Sequence, residues 1–359
     1  MGLLPLLNLA AAFLVTAVII LLLGENPVRA LELMLFGAFG YGQAIGYTLF
    51  YATNFVFTGL AFAVAFHAGL FNIGAEGQAY LGGLGTALVC LALDHYLPFV
   101  LILPLAILGA AAFGALWGAI PGWLQAKRGA HIVITTIMFN FIAAALMTYL
   151  LVNVLIEPGE ATPETRTFEP SAHLPTLQEM AGWIGLEVAR SPANFSLVIA
   201  LLACAAVWAF LWKSRVGYGL RVFGQSEPAA VYAGISPSRT VVLAMALSGA
   251  LAGMMALNEI MGAQNRLLLG FTGGFGFVGI AVALMGRNHP VGILMAALLF
   301  GALYQGGSEL AFDMPTISRD IVVVIQGLVI LFCGALENMF RPSLARWFAP
   351  ARTPVSVGG

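Results

Sequence analysis

Long apolar runs separated by short polar breaks dominate the pattern of hydrophobic and polar positions along the chain. A helix needs about 20 consecutive apolar residues to cross a bilayer. Runs near that length lie at residues 3–23, 50–67, 69–93, 99–121, 131–155, 194–213, 240–260, 273–286, 290–307 and 320–337. The pattern therefore predicts an all-α polytopic membrane protein with about ten transmembrane helices.

Three segments depart from a simple crossing helix. Residues 28–49 are amphipathic and rich in glycine, and the run at 273–286 is too short to cross alone. Residues 67–78 place polar side chains among glycines beside an apolar run. Short, Gly-rich half-spans are typical of the broken helices that line a cavity in transporters. We therefore predict broken or re-entrant helices near 28–49, 67–78 and 273–290.

The positions of lysine and arginine indicate the orientation. With the N-terminus in the cytoplasm, ten of the 15 basic residues lie inside and five outside, as the positive-inside rule favours. We predict one transmembrane domain over residues 1–340 and a cytoplasmic tail at 341–359, so that both termini are cytoplasmic. Residues 156–193 form an extracytoplasmic loop, solvated and able to receive a soluble partner, and residues 214–239 form a cytoplasmic loop.

Composition narrows the function. Hydrophobic residues make up 60% of the chain and charged residues 9%, and the mean hydropathy is +0.95. The net charge of -1 gives no basic surface for nucleic acid. No phosphate-binding GxxxxGK[ST] loop occurs, so the chain has no basis for hydrolysing ATP itself. No nucleophile–base set and no metal-ligand spacing is present, so we predict transport without catalytic residues, metal or cofactor.

The stretch 69–83 places Phe71, Asn72, Glu76 and Gln78 among glycines at membrane depth. An ionisable group in hydrocarbon costs about 2.5–3.5 kcal/mol, so its presence needs a reason. Asn72 and Glu76 are expected to share a helical face. These side chains either line the path of a polar solute or hold helices together by hydrogen bonds.

A second polar set follows at 131–140, where Thr135, Thr136 and Asn140 offer hydroxyl and amide groups. Thr136 and Asn140 are again spaced to share one helical face. Threonine and asparagine commonly hydrogen-bond between membrane helices, so the same two interpretations remain open.

The loop 214–239 contains a short element with helix-forming residues. Glu227, Ala229, Ala230 and Tyr232 precede Gly234 there. A short amphipathic helix of this kind can insert into a groove on another protein. The alternative is an ordinary connecting loop.

Four blocks together resemble a known family, in order, between about residues 55 and 300. They read GLAFAVAFHAGLFNIGAEGQ, VITTIMFNFI, GLRVFGQSEPAAVYAGI and GFGFVGIAVALMGRNHPVGI. They are similar to the membrane permeases of bacterial ATP-binding-cassette (ABC) importers, within the branched-chain amino acid, ribose and simple-sugar permease superfamily. Within this superfamily, the four blocks are most similar to the permeases of nucleoside importers.

The resemblance implies a set of partners in the bacterial plasma (inner) membrane. These are a second, homologous permease chain, two cytoplasmic ABC ATPase subunits or domains, and an extracytoplasmic substrate-binding protein. The family docks its ATPase through a coupling helix, which here matches the block with Arg221 and the Glu227–Gly234 element. Pro228 within that element, and Gln225 where asparagine is expected, depart from the family pattern. Pro228 suits the first turn of a short helix.

The resemblance implies import of a nucleoside or similar small polar solute by alternating access, driven by ATP hydrolysis on the partner chain. A simple sugar is the first alternative, and a branched-chain amino acid is a weaker one. An ion-coupled secondary transporter, with Glu76 as a proton or cation site, is an alternative of a different class.

Overall fold

A computed structural model gives the structure of the chain and describes residues 3–159 and 161–335. Fourteen α-helices, and no β-strand beyond two isolated bridges, occur among these residues. In chain order the helices are α1 (Leu3–Leu22), α2 (Pro27–Phe39), α3 (Gly42–His67), α4 (Ala75–Leu93), α5 (Phe99–Arg128), α6 (Ile132–Asn153), α7 (Leu177–Trp183), α8 (Ser196–Lys213), α9 (Arg215–Gln225), α10 (Glu227–Tyr232), α11 (Pro237–Ala256), α12 (Phe275–Met285), α13 (Pro290–Asp313) and α14 (Arg319–Ala335).

The all-α membrane class predicted from the sequence is confirmed. Within the described residues, six helices are long and apolar enough to cross a membrane, and one bent pair would make seven. A helix lies at each of the predicted apolar runs, but the count of about ten transmembrane helices is not confirmed. Several of these helices are too short or too polar to be counted as spans by length and composition.

The chain breaks its helices close to the predicted places. Residues 68–74 separate α3 from α4, and α12 has only 11 residues before a second break at 286–289. Within 28–49, the interruption lies at residues 40–41, between α2 and α3. The preceding pair, Ala10–Leu22 and Pro27–Phe39, is bent by 119°.

The described residues fall into two compact units. One holds the chain up to Leu33 and from Gly307 onward, where α1 packs along α14 and the Thr316 hydroxyl donates to the Glu25 carboxylate. The other runs from Met34 to Gly306 and carries the residues of functional interest. The single domain over 1–340 stays a prediction, and its last residues, with the predicted tail at 341–359, lie outside the described residues.

Glycines bring three helices of the larger unit together backbone to backbone. Gly82 of α4 faces Gly253 of α11, and Gly114 of α5 faces Gly249 of α11. A Cβ atom at any of these positions would overlap the facing backbone. Small residues permit this approach in membranes, where helix association relies on van der Waals packing. Helices α4, α5 and α11 thus form a tightly packed centre.

Hydrogen bonds tie parts of the polar segment 156–193 to other segments of the chain. Both terminal nitrogens of Arg166 donate to the Asp94 carboxylate, at the end of α4, over 2.8 Å. Further along, the Leu174 N–H donates to the Met261 carbonyl over 2.9 Å. Burial alone would raise the pKa of Asp94, but hydrogen bonds from Arg166 and the Glu169 N–H lower that pKa below its usual value.

Candidate functional site at the crossing of two broken helices

The first turn of α4 meets the first turn of α12 inside the bundle. The two carboxylate oxygens of Glu76 accept hydrogen bonds from the backbone N–H groups of Gly274, over 3.0 Å, and Gly276, over 2.8 Å. These N–H groups have no acceptor within their own helix, and the helix dipole favours a negative charge there. Glu76 therefore caps α12 and ties it to α4.

Asn72 shapes the break that precedes α4. Its side-chain carbonyl accepts from the Gly74 N–H over 2.8 Å. Its amide donates to Gln78 over 2.9 Å and to the Ser248 hydroxyl of α11 over 2.8 Å. Because α4 begins only at Ala75, the expectation that Asn72 and Glu76 share a helical face is wrong. Asn72 instead fixes the non-helical turn that positions Glu76.

Asn140 clamps the same break from α6. Its carbonyl accepts from the Gly77 N–H, and its amide donates to the Ile73 carbonyl, each over 2.9 Å. Thr136 shares the buried face of α6 with Asn140, but its hydroxyl bonds the Ile132 carbonyl of its own helix over 2.8 Å. The Thr135 hydroxyl likewise bonds back to His131 and Ile132. A role of these side chains in a substrate path stays a prediction.

Phe71 lies apart from this cluster. It is 38% exposed and lines a groove of about 580 Å³ that also contains Glu227, next to the loop between α8 and α11. Of the predicted path residues, the structure thus brings together Asn72, Gln78 and Asn140, with Glu76 beside them. Phe71 and Thr135 lie outside that cluster.

Four aromatic rings, which sequence reasoning did not single out, adjoin the crossing. This aromatic quartet consists of Tyr51 and Phe55 of α3, Phe275 of α12 and Tyr304 of α13. Its five ring–ring contacts have centroid distances of 5.0 to 6.1 Å. Phe275 lies between the two glycines that bond Glu76. The feature of the sequence that could have indicated this quartet is the presence of two tyrosines in the middle of apolar helices.

A second buried polar network was also missed. It centres on a π-helical stretch, Leu257–Gln264, that continues α11. The Asn54 amide donates to the Glu259 carboxylate over 2.6 Å, and the Asn258 amide donates to the Asn54 carbonyl over 2.7 Å. Asn194 and Ser196 both donate to the Asn258 carbonyl. Polar residues within apolar runs, such as Asn54 and Glu259, are the signal that could have found it.

Helices α9 and α10 form the element predicted in the loop 214–239. The Ser226 hydroxyl caps α10 by accepting from the Ala229 N–H, and Pro228 occupies the first turn. Gly234 ends the element with a φ of 79°, in the left-handed region that glycine tolerates. Ala230 is fully buried, whereas Tyr232 is 96% exposed. Glu227 and Ala229 are exposed as well.

Helix α9 and the end of α8 together lie against the ends of both broken segments. The Trp212 ring, at the end of α8, lies 5.3 Å from the His67 ring and 5.0 Å from the His289 ring. Arg221 of α9 lies over the same Trp212 ring at 6.0 Å. The Gly224 backbone packs directly on the His67 carbonyl and on Gly69. Arg221 thus lies at a junction between α8, α9 and the two breaks.

Two broken helices that meet at their N-terminal turns within an all-α bundle are typical of polytopic membrane transport proteins. A family model described as "Branched-chain amino acid transport system / permease component" matches residues 44–334, and the chain belongs to this family. The chain is accordingly a multi-pass protein of the plasma membrane and a transport component rather than an enzyme.

Three curated relatives are each 35% identical to the chain. The alignment with a nucleoside ABC transporter permease of Lactococcus lactis covers 92% of this chain and 90% of that permease. The alignment with a guanosine ABC transporter permease of Bacillus subtilis covers 93% of each chain. The alignment with a glucose ABC transporter permease of Haloferax volcanii covers 94% of this chain and 88% of that permease. No solved structure matches the chain.

Proposed function

We propose that the chain is the permease subunit of an ATP-driven importer and forms the path for a nucleoside. Two of the three relatives named above are nucleoside or guanosine permeases. The observation that carries the proposal is the crossing of α4 and α12, where Glu76 joins the N-terminal turns of two broken helices. Such turns lie at the substrate site in transporters with broken helices.

The proposed mechanism is alternating access. ATP binding closes the partner ATPases and moves α9 and α10, and hydrolysis resets them. Motion at α9 reaches the break at 68–74 because Gly224 packs on its backbone. From the break it reaches Glu76 through the Asn72 and Asn140 hydrogen bonds. The permease contributes no covalent chemistry.

The proposed partners follow the surfaces of the molecule. The α9–α10 element, with exposed Glu227, Ala229 and Tyr232, docks one of two cytoplasmic ABC ATPase subunits or domains. A second, homologous permease completes the membrane path. The segment 156–193 faces the extracytoplasmic binding protein. In this orientation, both termini lie in the cytoplasm of a bacterial cell.

A simple sugar is the second candidate substrate, because the glucose permease of Haloferax volcanii is equally identical to the chain. An ion-coupled mechanism gains no support from membership of an ABC permease family. Uptake that follows a proton gradient, without a copurifying ATPase, would favour that mechanism over the proposal.

Copurification followed by uptake tests the proposed function. The tagged chain, expressed with its neighbouring genes, is expected to copurify with a second permease and an ABC ATPase. The reconstituted complex, supplied with its binding protein, is expected to import labelled adenosine or guanosine only when ATP is present. Import of labelled glucose in preference to both nucleosides would assign the chain to the sugar alternative.

A further inference from the structure

The aromatic quartet lies at the depth where a solute would pass the crossing. Tyr51 lies roughly 13 Å along α3 from its first residue, at 1.5 Å per residue. Tyr304 lies roughly 13 Å before the last residue of α13 on the same scale. Both rings thus lie away from the ends of helices that are long and apolar enough to cross a membrane.

Tyrosines at this depth indicate a polar space. Tyrosine is normally enriched at the membrane–water interface, where its hydroxyl reaches water, whereas phenylalanine serves equally well in an apolar interior. Tyr51 and Tyr304 are half-buried, while Phe55 is fully buried behind them. Both tyrosine rings contact the Phe275 ring, at 6.1 Å and 5.8 Å, and Phe275 lies between the two glycines that bond Glu76. The two tyrosine rings thus adjoin the same crossing that Glu76 holds together.

The quartet is mechanically tied to the crossing. Phe275 follows Gly274, which has a φ of 80°, and precedes Gly276; both glycines bond Glu76. Any displacement of the first turn of α12 against α4 must therefore move the Phe275 ring. Phe275 contacts Tyr51 at 6.1 Å, Phe55 at 5.5 Å and Tyr304 at 5.8 Å, so such a displacement would change all three contacts.

We propose that the aromatic quartet binds the base of a nucleoside in transit, an inference that rests on the proposed function. When the rings part, base–ring stacking replaces the ring–ring contacts that are lost. Every base has a π-face, so this replacement serves purines and pyrimidines alike. A solute without an aromatic ring breaks the same contacts and replaces none. The quartet thereby selects nucleosides at the permease, in addition to selection by the binding protein.

Photolabelling tests where the base lies. The reconstituted complex is turned over with 8-azidoadenosine under ultraviolet light, and adenosine and guanosine uptake are measured alongside. Label that excess adenosine competes away is expected on the peptides carrying the quartet. Nucleoside uptake with competed label on other segments only, or with no competed label, overturns this inference and leaves the proposed function standing. A complex that imports neither nucleoside overturns both.

Substitutions provide a second, independent test. Tyr51→Leu and Tyr304→Leu are each expected to lower nucleoside uptake about tenfold, within the range that base–aromatic stacking supports. The Tyr→Phe changes keep the ring and are expected to retain most uptake. Phe66→Leu, which removes a ring contact with Phe62 outside the quartet, is the matched control. All rates are taken per assembled complex that hydrolyses ATP, and equal losses in control and quartet variants would overturn the inference.

Discussion

Glu76 is a buried carboxylate whose hydrogen-bond donors are backbone groups. Its two oxygens accept from Gly274 and Gly276 at the start of α12, and the side chain lies within the first turn of α4. An acceptor-only carboxylate matches two N–H donors, whereas a glutamine offers one acceptor oxygen and an amide that is itself a donor. Charge and shape at this position therefore matter to the contact between the two broken helices.

We expect Glu76→Gln to leave one of these N–H groups without a partner. An unpaired buried donor costs about 1–3 kcal/mol, so the purified variant should unfold at a lower temperature and transport more slowly. Thermal unfolding in detergent and uptake by the reconstituted complex measure the two effects. Glu187→Gln, at an exposed position, is the control and should behave like the wild type. An unchanged unfolding temperature for Glu76→Gln would show that the two hydrogen bonds contribute nothing.

Single residues were predictable where they are polar within an apolar run. Asn72, Glu76 and Asn140 stand out in the sequence for this reason, and the structure gives each of them a buried hydrogen-bonded position. Their partners were not predictable, because they include groups in segments up to 200 residues away. The phenylalanines gave no contrast, since 25 of them are spread along the chain and only the fold gathers Phe55 and Phe275.

At the scale of helices, α9 lies within the loop between α8 and α11 and connects that loop to the broken segments. Its Gly224 fits against the His67 carbonyl and Gly69, where a Cβ would lie 2.8 Å from the Gly69 nitrogen. Backbone groups in contact at this distance cannot shift independently of each other. The contact is therefore suited to carry motion from α9 to the break before α4.

We expect Gly224→Ala to separate α9 from this break and so to uncouple transport from ATP hydrolysis. Uptake should fall about tenfold, a loss equivalent to ~1.4 kcal/mol, while the assembled complex continues to hydrolyse ATP. Gly219→Ala is the matched control on the same helix, because its Cβ would meet nothing closer than 3.8 Å. Parallel assays of uptake and phosphate release measure the ratio of solute imported to ATP hydrolysed. If both variants retain wild-type coupling, α9 does not transmit motion through Gly224.

Helix positions were largely predictable because apolar runs of membrane length have few alternatives to a helix. The breaks at 68–74 and 286–289 were also indicated by glycine and polar residues. The π-helical stretch Leu257–Gln264 was not predictable, because its pattern of apolar and polar positions does not distinguish a π-helix from an α-helix. Hydrogen bonds from Asn54 of α3 and from Asn194, which precedes α8, reach Glu259 and Asn258 within this stretch.

At the scale of the whole molecule, the proposed orientation places two exposed features on opposite sides of the membrane. Tyr232 of α10, 96% exposed, belongs to the element proposed to dock the ATPase. Trp183 of α7, 74% exposed, belongs to the segment that Arg166 ties to the end of α4. An odd number of membrane crossings must separate the two if the orientation is right. Accessibility to a membrane-impermeant reagent therefore tests it directly.

We expect Trp183→Cys to react with an impermeant maleimide in intact cells and Tyr232→Cys to react only after permeabilisation. Both changes are made in a chain whose own Cys90, Cys204 and Cys333 are replaced by alanine. Ala230→Cys is the matched control on α10, since Ala230 is fully buried and should stay unlabelled on either side. Labelling of both Trp183→Cys and Tyr232→Cys in intact cells would contradict the separation of the two segments by the membrane. Labelling of Tyr232→Cys alone would invert the orientation and remove α9 and α10 from the reach of a cytoplasmic ATPase.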